Sequence, residues 1–370
     1  MPPFGRRNAR PWRHDLSPTQ RDATGLARRG RGQYAADSMK RFVVGTGRCG
    51  STLLSRLLHQ SPEMASLCEY FNGLDGGRRF AGEPITGAAF WELIAQPHPF
   101  VTIVVSRGYK VDEIVYPYDR PGVRARRDDQ LPWIQVSMLP RLTDDPDRLF
   151  DQTREFVLAQ PVRAPRDHHV ALFDWLATTC GKRVWNERSG SSIDYLGELR
   201  DNYPDARFLH IHRAGEEAAL SMREHAAFRL AISLIYRVYP ELDVAAAFAH
   251  STPPADGSPD PFAPILEGRP PVEYFGRFWS DQLMRGYRAI AGLDRNQYAE
   301  VRFEDLVARP HETLRWIADF FEIDPDADGW IERAAALVRG VPPARTAELP
   351  AADRARLAEI CRPGNQLLGR

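Results

Sequence analysis

The chain has 370 residues, 43% of them apolar and 26% charged, enough to bury a sizeable core as one large domain or two modest ones. Its 49 basic and 49 acidic residues cancel, which argues against a nucleic-acid footprint or a general anionic partner. Only Lys40, Lys110 and Lys182 are lysines, so arginine abundance is a compositional bias and each arginine is judged by its position. Cys49, Cys68, Cys180 and Cys361 show no metal or redox spacing, and the expectation is a reduced, cytoplasmic protein with free thiols.

Residues 1–38 are rich in Arg, Gly and Pro and poor in apolar residues, which predicts a disordered, solvated tail ahead of a domain over 39–370. No apolar stretch suits a signal peptide or a membrane span. The segment Arg41–Gln60 then reads as strand, glycine loop and helix. Phe42, Val43 and Val44 form a short buried strand, Gly45, Gly47 and Gly50 punctuate the loop, and Leu53, Leu54, Leu57 and Leu58 recur at helical spacing from Thr52 onward. A loop of this kind aims backbone N–H groups and a helix N-terminus at one spot, which suits phosphate. Against the Walker spacing, Gly45 and Gly50 match the two glycines and Thr52 the hydroxyl, but Ser51 stands where the lysine should be. That argues against ordinary ATP or GTP chemistry and leaves Arg48 as the charge inside the loop. An ordinary glycine turn remains the competing reading until the rest of the chain is weighed.

Ser61 and Pro62 break the helix, Met64–Cys68 reads as a short strand, and Glu69 follows it. Residues just beyond a strand's carboxyl end line the ligand crevice of a doubly wound sheet, which makes Glu69 a candidate general base or else a plain surface carboxylate. Residues 72–180 read as an acceptor-side insertion, with a strand at 101–106 and helices over 149–160 and 168–180. Tyr109, Lys110, Asp112, Tyr116 and Tyr118 are candidates to line its pocket. His168 and His169 lack partners at ligand spacing and are read as solvated or capping residues, not metal ligands.

From 182 to 225 the pattern is a βαβα unit of a parallel α/β sheet: a strand at Arg183–Trp185, a helix from Ser191 capped by Ser191 or Ser192, a strand at Arg207–His212 and a helix over Glu216–His225. Arg213, at a strand's carboxyl end, and Ser221, eight residues on, have the chemistry to clamp one phosphate. The alternative is a surface arginine and a helix-face serine. Residues 237–272 are proline-rich and read as a loop over the site mouth. In the helix over 273–293 the stripe Phe275, Phe278, Trp279, Leu283 and Tyr287 reads as core. Glu304 and Asp305 follow a strand where a magnesium-binding carboxylate could stand, though the missing lysine favours a structural role; Pro310 starts a helix with Leu314, Ile317 and Phe321 facing inward, and the chain ends in a helix.

Taken in order, RCGST at 48–52, the R-x7-S element from Arg213 to Ser221 and VRFEDLVARPHETLRWIADFFEI at 301–323 resemble the three stretches of sulfotransferases that use 3′-phosphoadenosine 5′-phosphosulfate. The resemblance covers most of 40–325 outside the middle insertion and is nearest the tyrosylprotein and bacterial carbohydrate or lipid branch. It implies an α/β fold, a three-layer parallel sheet of P-loop-like sulfotransferase topology with a helical acceptor-side insertion. It implies that Gly47, Arg48, Cys49, Gly50, Ser51 and Thr52 hold the 5′-phosphosulfate and that Arg213 and Ser221 hold the 3′-phosphate. It implies Glu69 as base, with Arg48 and Arg188 stabilising charge; Arg188, in NERSG, substitutes for the lysine usual in the family. Arginine keeps the charge but is a poor proton donor. The co-substrate would leave as adenosine 3′,5′-bisphosphate, with no metal, and the partner would be a hydroxyl-bearing acceptor; the oligomeric state is left open. The alternatives are a P-loop kinase with a displaced lysine and a non-catalytic nucleotide-binding protein.

Overall fold

The computed structural model describes residues 39–370 except 75, 81, 244–246, 249 and 250, so the expected tail over 1–38 lies outside the described residues. Five strands, β1 (Arg41–Val44), β2 (Met64–Cys68), β3 (Val184–Arg188), β4 (Arg207–His212) and β5 (Tyr298–Arg302), form one sheet in the order β2-β3-β1-β4-β5. Every neighbouring pair is parallel, with Phe42 level with Phe208 and Cys68 level with Arg188. A parallel sheet needs both faces covered, and alternate residues on each strand divide between them. Phe42, Val44 and Phe208 enter one core with Trp185, Phe173 and Trp279, and the rings of Phe42 and Phe208 stack at 5.5 Å. Val43, Leu209 and Ile211 enter the opposite core with Leu54, Leu57, Ile317 and Trp330. The result is a three-layer α/β arrangement, as the resemblance implies.

The helices follow the same division. α1 (Ser51–Leu58) and the helices Phe303–Ala308, Pro310–Phe321 and Trp330–Ala335 supply one outer layer. α5 (Pro165–Thr179), α6 (Leu196–Asn202), α7 (Gly215–Arg223) and the helices Val272–Ile290 and Ala351–Leu367 supply the other. Pro310 occupies the first turn of its helix, and Leu314, Ile317 and Phe321 are fully buried. Phe275, Trp279 and Leu283 are core as expected. Glu304 binds Arg370 (2.7 Å) and accepts the Ala214 N–H (3.4 Å), tying the C-terminus to the end of β4.

Several sequence expectations are corrected. Residues 101–106 are not a strand but most of α3 (Pro99–Val105), between α2 (Gly87–Ile94) and α4 (Pro146–Leu158). A five-residue apolar run suits a buried helix as well as a buried strand. Here Pro99 fixes a first helical turn, and Val101 and Val105, four apart, pack into one cluster while Ile103 and Val104 pack into another. His168 and His169 are neither solvated nor capping; both are buried inside α5. The Tyr70 hydroxyl meets His169 Nδ1 (2.7 Å), His169 Nε2 meets the Arg79 carbonyl (2.8 Å), and burial pulls this imidazole down to about 3. Ser191 does not cap with its side chain; it turns the chain at φ 58° into a 3-10 turn over Ser192–Tyr195, and α6 begins only after it. The strand expected at Arg183–Trp185 runs on to Arg188, so Asn186, Glu187 and Arg188 are buried sheet residues. Within the stretch 237–272, Asp260 is gripped by Arg107 (2.6 Å), and Phe262, Ile265 and Leu266 pack with Ile103 of α3 and with Leu230 of α8 (Ala226–Ile235).

Candidate active site

Because all five strands run the same way, their carboxyl ends meet along one edge, and that edge opens on a cavity of about 500 Å³. Gly47, Arg48, Gly50, Ser51 and Thr52 line it from the β1–α1 loop, Glu69 from β2, Arg188 from β3, and Arg213 and Ser221 from β4 and α7. Nine of the ten residues singled out from sequence therefore face one space. The tenth, Cys49, has its thiol fully buried with Leu54 and Ile211, where burial raises its pKa; only its backbone belongs to the loop.

The loop is held in conformations that most residues avoid. Gly50 sits at φ 97° as the N-cap of α1, with no side chain capping the helix. A Cβ at Gly47 would come within 2.1 Å of the Phe228 ring, so a side chain there requires that ring to move. Arg48 and Glu69 are both left-handed non-glycine residues, at φ 59° and 60°, and Ser191 at 58° lines the same cavity. Such conformations cost about 1–3 kcal/mol each and persist where surrounding structure over-determines them, typically at ligand sites.

Glu69 and Arg188 form a buried ion pair, 2% and 1% exposed. Glu69 Oε2 also accepts from Asn72 Nδ2 (2.6 Å) and the Gly190 N–H (3.0 Å), while its carbonyl accepts from Trp133 Nε1 (2.5 Å). Arg188 uses Nη1 for the pair, and its Nε and Nη2 have no partner among the described residues. Behind it, Ser189 Oγ donates to Glu187 (2.5 Å) and accepts the Phe71 N–H (3.0 Å). Burial, reinforced by the Glu69 charge, pushes the Glu187 carboxyl up to about 8.

At the other end, Arg213 lies over the Phe303 ring (5.0 Å) and reaches Glu217 (3.4 Å), and burial lowers its pKa. Glu217 also accepts the N–H groups of Arg345 (3.1 Å) and Thr346 (3.0 Å), which brings Arg345 into the cavity wall. Ser221 Oγ accepts from Arg48 Nε (3.2 Å), and Arg48 Nη1 reaches Asp112 (3.1 Å).

Of the five insertion residues expected to line a pocket, only Asp112 does so. Tyr109 packs in the apolar cluster of α3 and α8, Tyr116 donates to Asp147 (2.8 Å), and Tyr118 packs against Tyr116. Sequence reasoning missed Glu113 and His225, which meet at 3.0 Å beside Arg48. Burial pushes the Glu113 carboxyl up, but the His225 hydrogen bond and the His225 and Arg48 charges outweigh it and hold the group at about 2. His225 lies four residues after Ser221, past the end of α7, as the N-cap of α8. Among the described residues no cluster of His, Cys, Asp and Glu could hold a metal ion, and no helix is long and apolar enough to cross a membrane.

No protein-family model matches the chain, and no curated protein does. Among solved structures, the chain is similar to the sulfotransferase domain from the curacin biosynthetic pathway, with 10% identity, TM-score 0.43, and 87% of this chain and 96% of that one covered. It is also similar to a sulfotransferase from Alicyclobacillus acidocaldarius, with 17% identity, TM-score 0.37, and 89% and 94% covered. For the sulfotransferase STF9 of Mycobacterium avium the values are 17%, 0.43, 90% and 77%.

Proposed function

We propose that this chain is a sulfotransferase that takes 3′-phosphoadenosine 5′-phosphosulfate as donor and an acceptor hydroxyl as the other substrate. The observation that carries the reading is Arg188: a fully buried guanidinium, lining an anion-suited cavity, with two donor nitrogens unpartnered among the described residues. Buried polar groups are normally satisfied, so these nitrogens suit oxygens of a bound anion. The donor set fits the group: backbone donors at 47–52 for the 5′ end, and Arg213, Ser221 and Arg345 around the far end for the 3′-phosphate. None of the three lysines lines the cavity, so the lysine a P-loop kinase needs is missing from this site.

When bound, the donor supplies an activated sulfuryl group on a phosphate leaving group. Arg48 and Arg188 then stabilise the negative charge that grows on the transferring and leaving oxygens, preorganised where water is scarce. Arg48 exchanges its Asp112 and Ser221 partners for the anion, and Ser221 is released toward the 3′-phosphate. Glu69 takes the acceptor proton. Its carboxylate has about four lone-pair sites, and Asn72 and Gly190 occupy Oε2 while Arg188 occupies one side of Oε1, leaving one site on Oε1 for the acceptor hydroxyl.

The test is thermal stability with adenosine 3′,5′-bisphosphate, adenosine 5′-phosphate, and ATP with and without magnesium. At a hundredfold over its dissociation constant a ligand adds about 2.7 kcal/mol to stability. The bisphosphate should stabilise selectively, and Arg213→Ala should abolish its advantage over the monophosphate. Stabilisation by ATP with magnesium alone would move the assignment to a kinase.

A further inference from the structure

The cavity has a second half that the donor does not explain. Phe100, Val101 and Val104 of α3, Val111 and Ile114 of the following loop, and Phe228 of α8 form an apolar wall facing the Glu69 side. The wall exists because the run at 101–105 is a helix, presenting Val101 and Val104 to the cavity while its other faces are packed. Along this wall Glu113 is matched with His225 (3.0 Å), Trp133 Nε1 is given to the Glu69 carbonyl, and Asp112, which gives up Arg48 when the donor binds, is 64% exposed and remains in water.

Resting on the transfer reading above, we infer that the acceptor is an uncharged, largely apolar molecule with a hydroxyl at one end, an alcohol or phenol and not a saccharide. A saccharide brings a hydroxyl on nearly every carbon, and each one buried without a partner is costly. Outside Arg188, the unpartnered buried side-chain atoms of the cavity lining among the described residues are two ring nitrogens, His98 Nδ1 and His225 Nδ1, too few for the further hydroxyls of a saccharide once Glu69 has taken the reacting one. Burial lowers the His98 pKa to about 4, so it meets the acceptor as a neutral ring. Apolar walls with few convergent polar groups are the usual make-up of small-molecule sites, and about 500 Å³ shared with the donor limits the acceptor to modest size.

The experiment is calorimetric titration of the full chain with 2-naphthol, 1-decanol and N-acetylglucosamine, alongside the bisphosphate melt. At least one apolar probe should bind and N-acetylglucosamine should not; the naphthol and decanol arms separate an aromatic from an aliphatic acceptor. Ala231→Phe, which fills the cavity from a half-buried position on α8, should weaken the apolar probe at least tenfold, as should Val104→Asp if that variant folds. Failure of both apolar probes to bind overturns the inference, as does binding unchanged by Ala231→Phe. An apolar probe that binds and responds to Ala231→Phe, in a chain that ignores the bisphosphate, keeps the apolar site and removes the transfer reading.

Discussion

Glu69 holds two roles that a single substitution confounds. It is the proposed base, and it is also the counter-charge for a guanidinium that is only 1% exposed. Removing one member of a buried pair costs about 3–5 kcal/mol because the other charge is left uncompensated. Glu69→Gln should therefore lose turnover by about 10²–10⁴-fold, as expected for a positioned base, and should also melt early. The double variant Glu69→Gln, Arg188→Met isolates the structural role, since it also removes a proposed charge stabiliser. It should recover much of the lost melting temperature without recovering turnover, measured as bisphosphate release at a temperature where all variants are folded. Recovery of both together would make Glu69 a structural residue only. Much of this was legible from sequence: the end of β2, the place of Glu69 and the R-x7-S spacing all follow from local pattern. The Glu69–Arg188 pairing was not, because it depends on β3 extending to Arg188 and setting Cys68 level with it, a register no local pattern specifies.

At the scale of elements, the parallel sheet was readable because both faces are buried and its central strands β1 and β4, with β2, carry short apolar runs that end in turns. On the acceptor side α4 and α5 were readable too, but α3 was not, because packing decides it. β-branched residues at 101–105 favour strands by propensity, yet no strand among the described residues pairs with them, and two apolar clusters and the cavity surround the run. The same packing ties the loop to α8. The Phe228 ring fills the space a Gly47 side chain would need, and it also faces the acceptor wall. Gly47→Ala should thus lower stability by about 1–3 kcal/mol and disturb the acceptor side as the ring turns away. Adding Phe228→Leu should restore most of the melting temperature. A Gly47→Ala protein as stable as the parent would show that the ring yields without cost.

For the whole molecule, the buried acids give stability a pH dependence whose sign differs by site. Glu113 and Glu300 are held at about 2, so what they contribute is present above the ordinary value of 4.5 and lost as the pH falls toward 2. Glu187 runs the other way. Its folded value is raised from 4.5 to about 8, so the native state holds the proton more tightly than the unfolded chain does. That contribution is complete below 4.5 and disappears as the pH rises through about 8. Glu187→Gln keeps an uncharged group beside Ser189 and removes the titration. The difference in melting temperature, variant minus parent, should therefore climb from pH 5 to about pH 8 and level off above it, once the parent has ionised an acid already facing the Glu69 charge. A flat difference would mean that Glu187 is ionised in the folded protein throughout. Because the Glu69 charge is part of the cause, Glu69→Gln should also move the midpoint of the Glu187 transition downward, so the same melts test whether the two carboxyls share one field beneath the site.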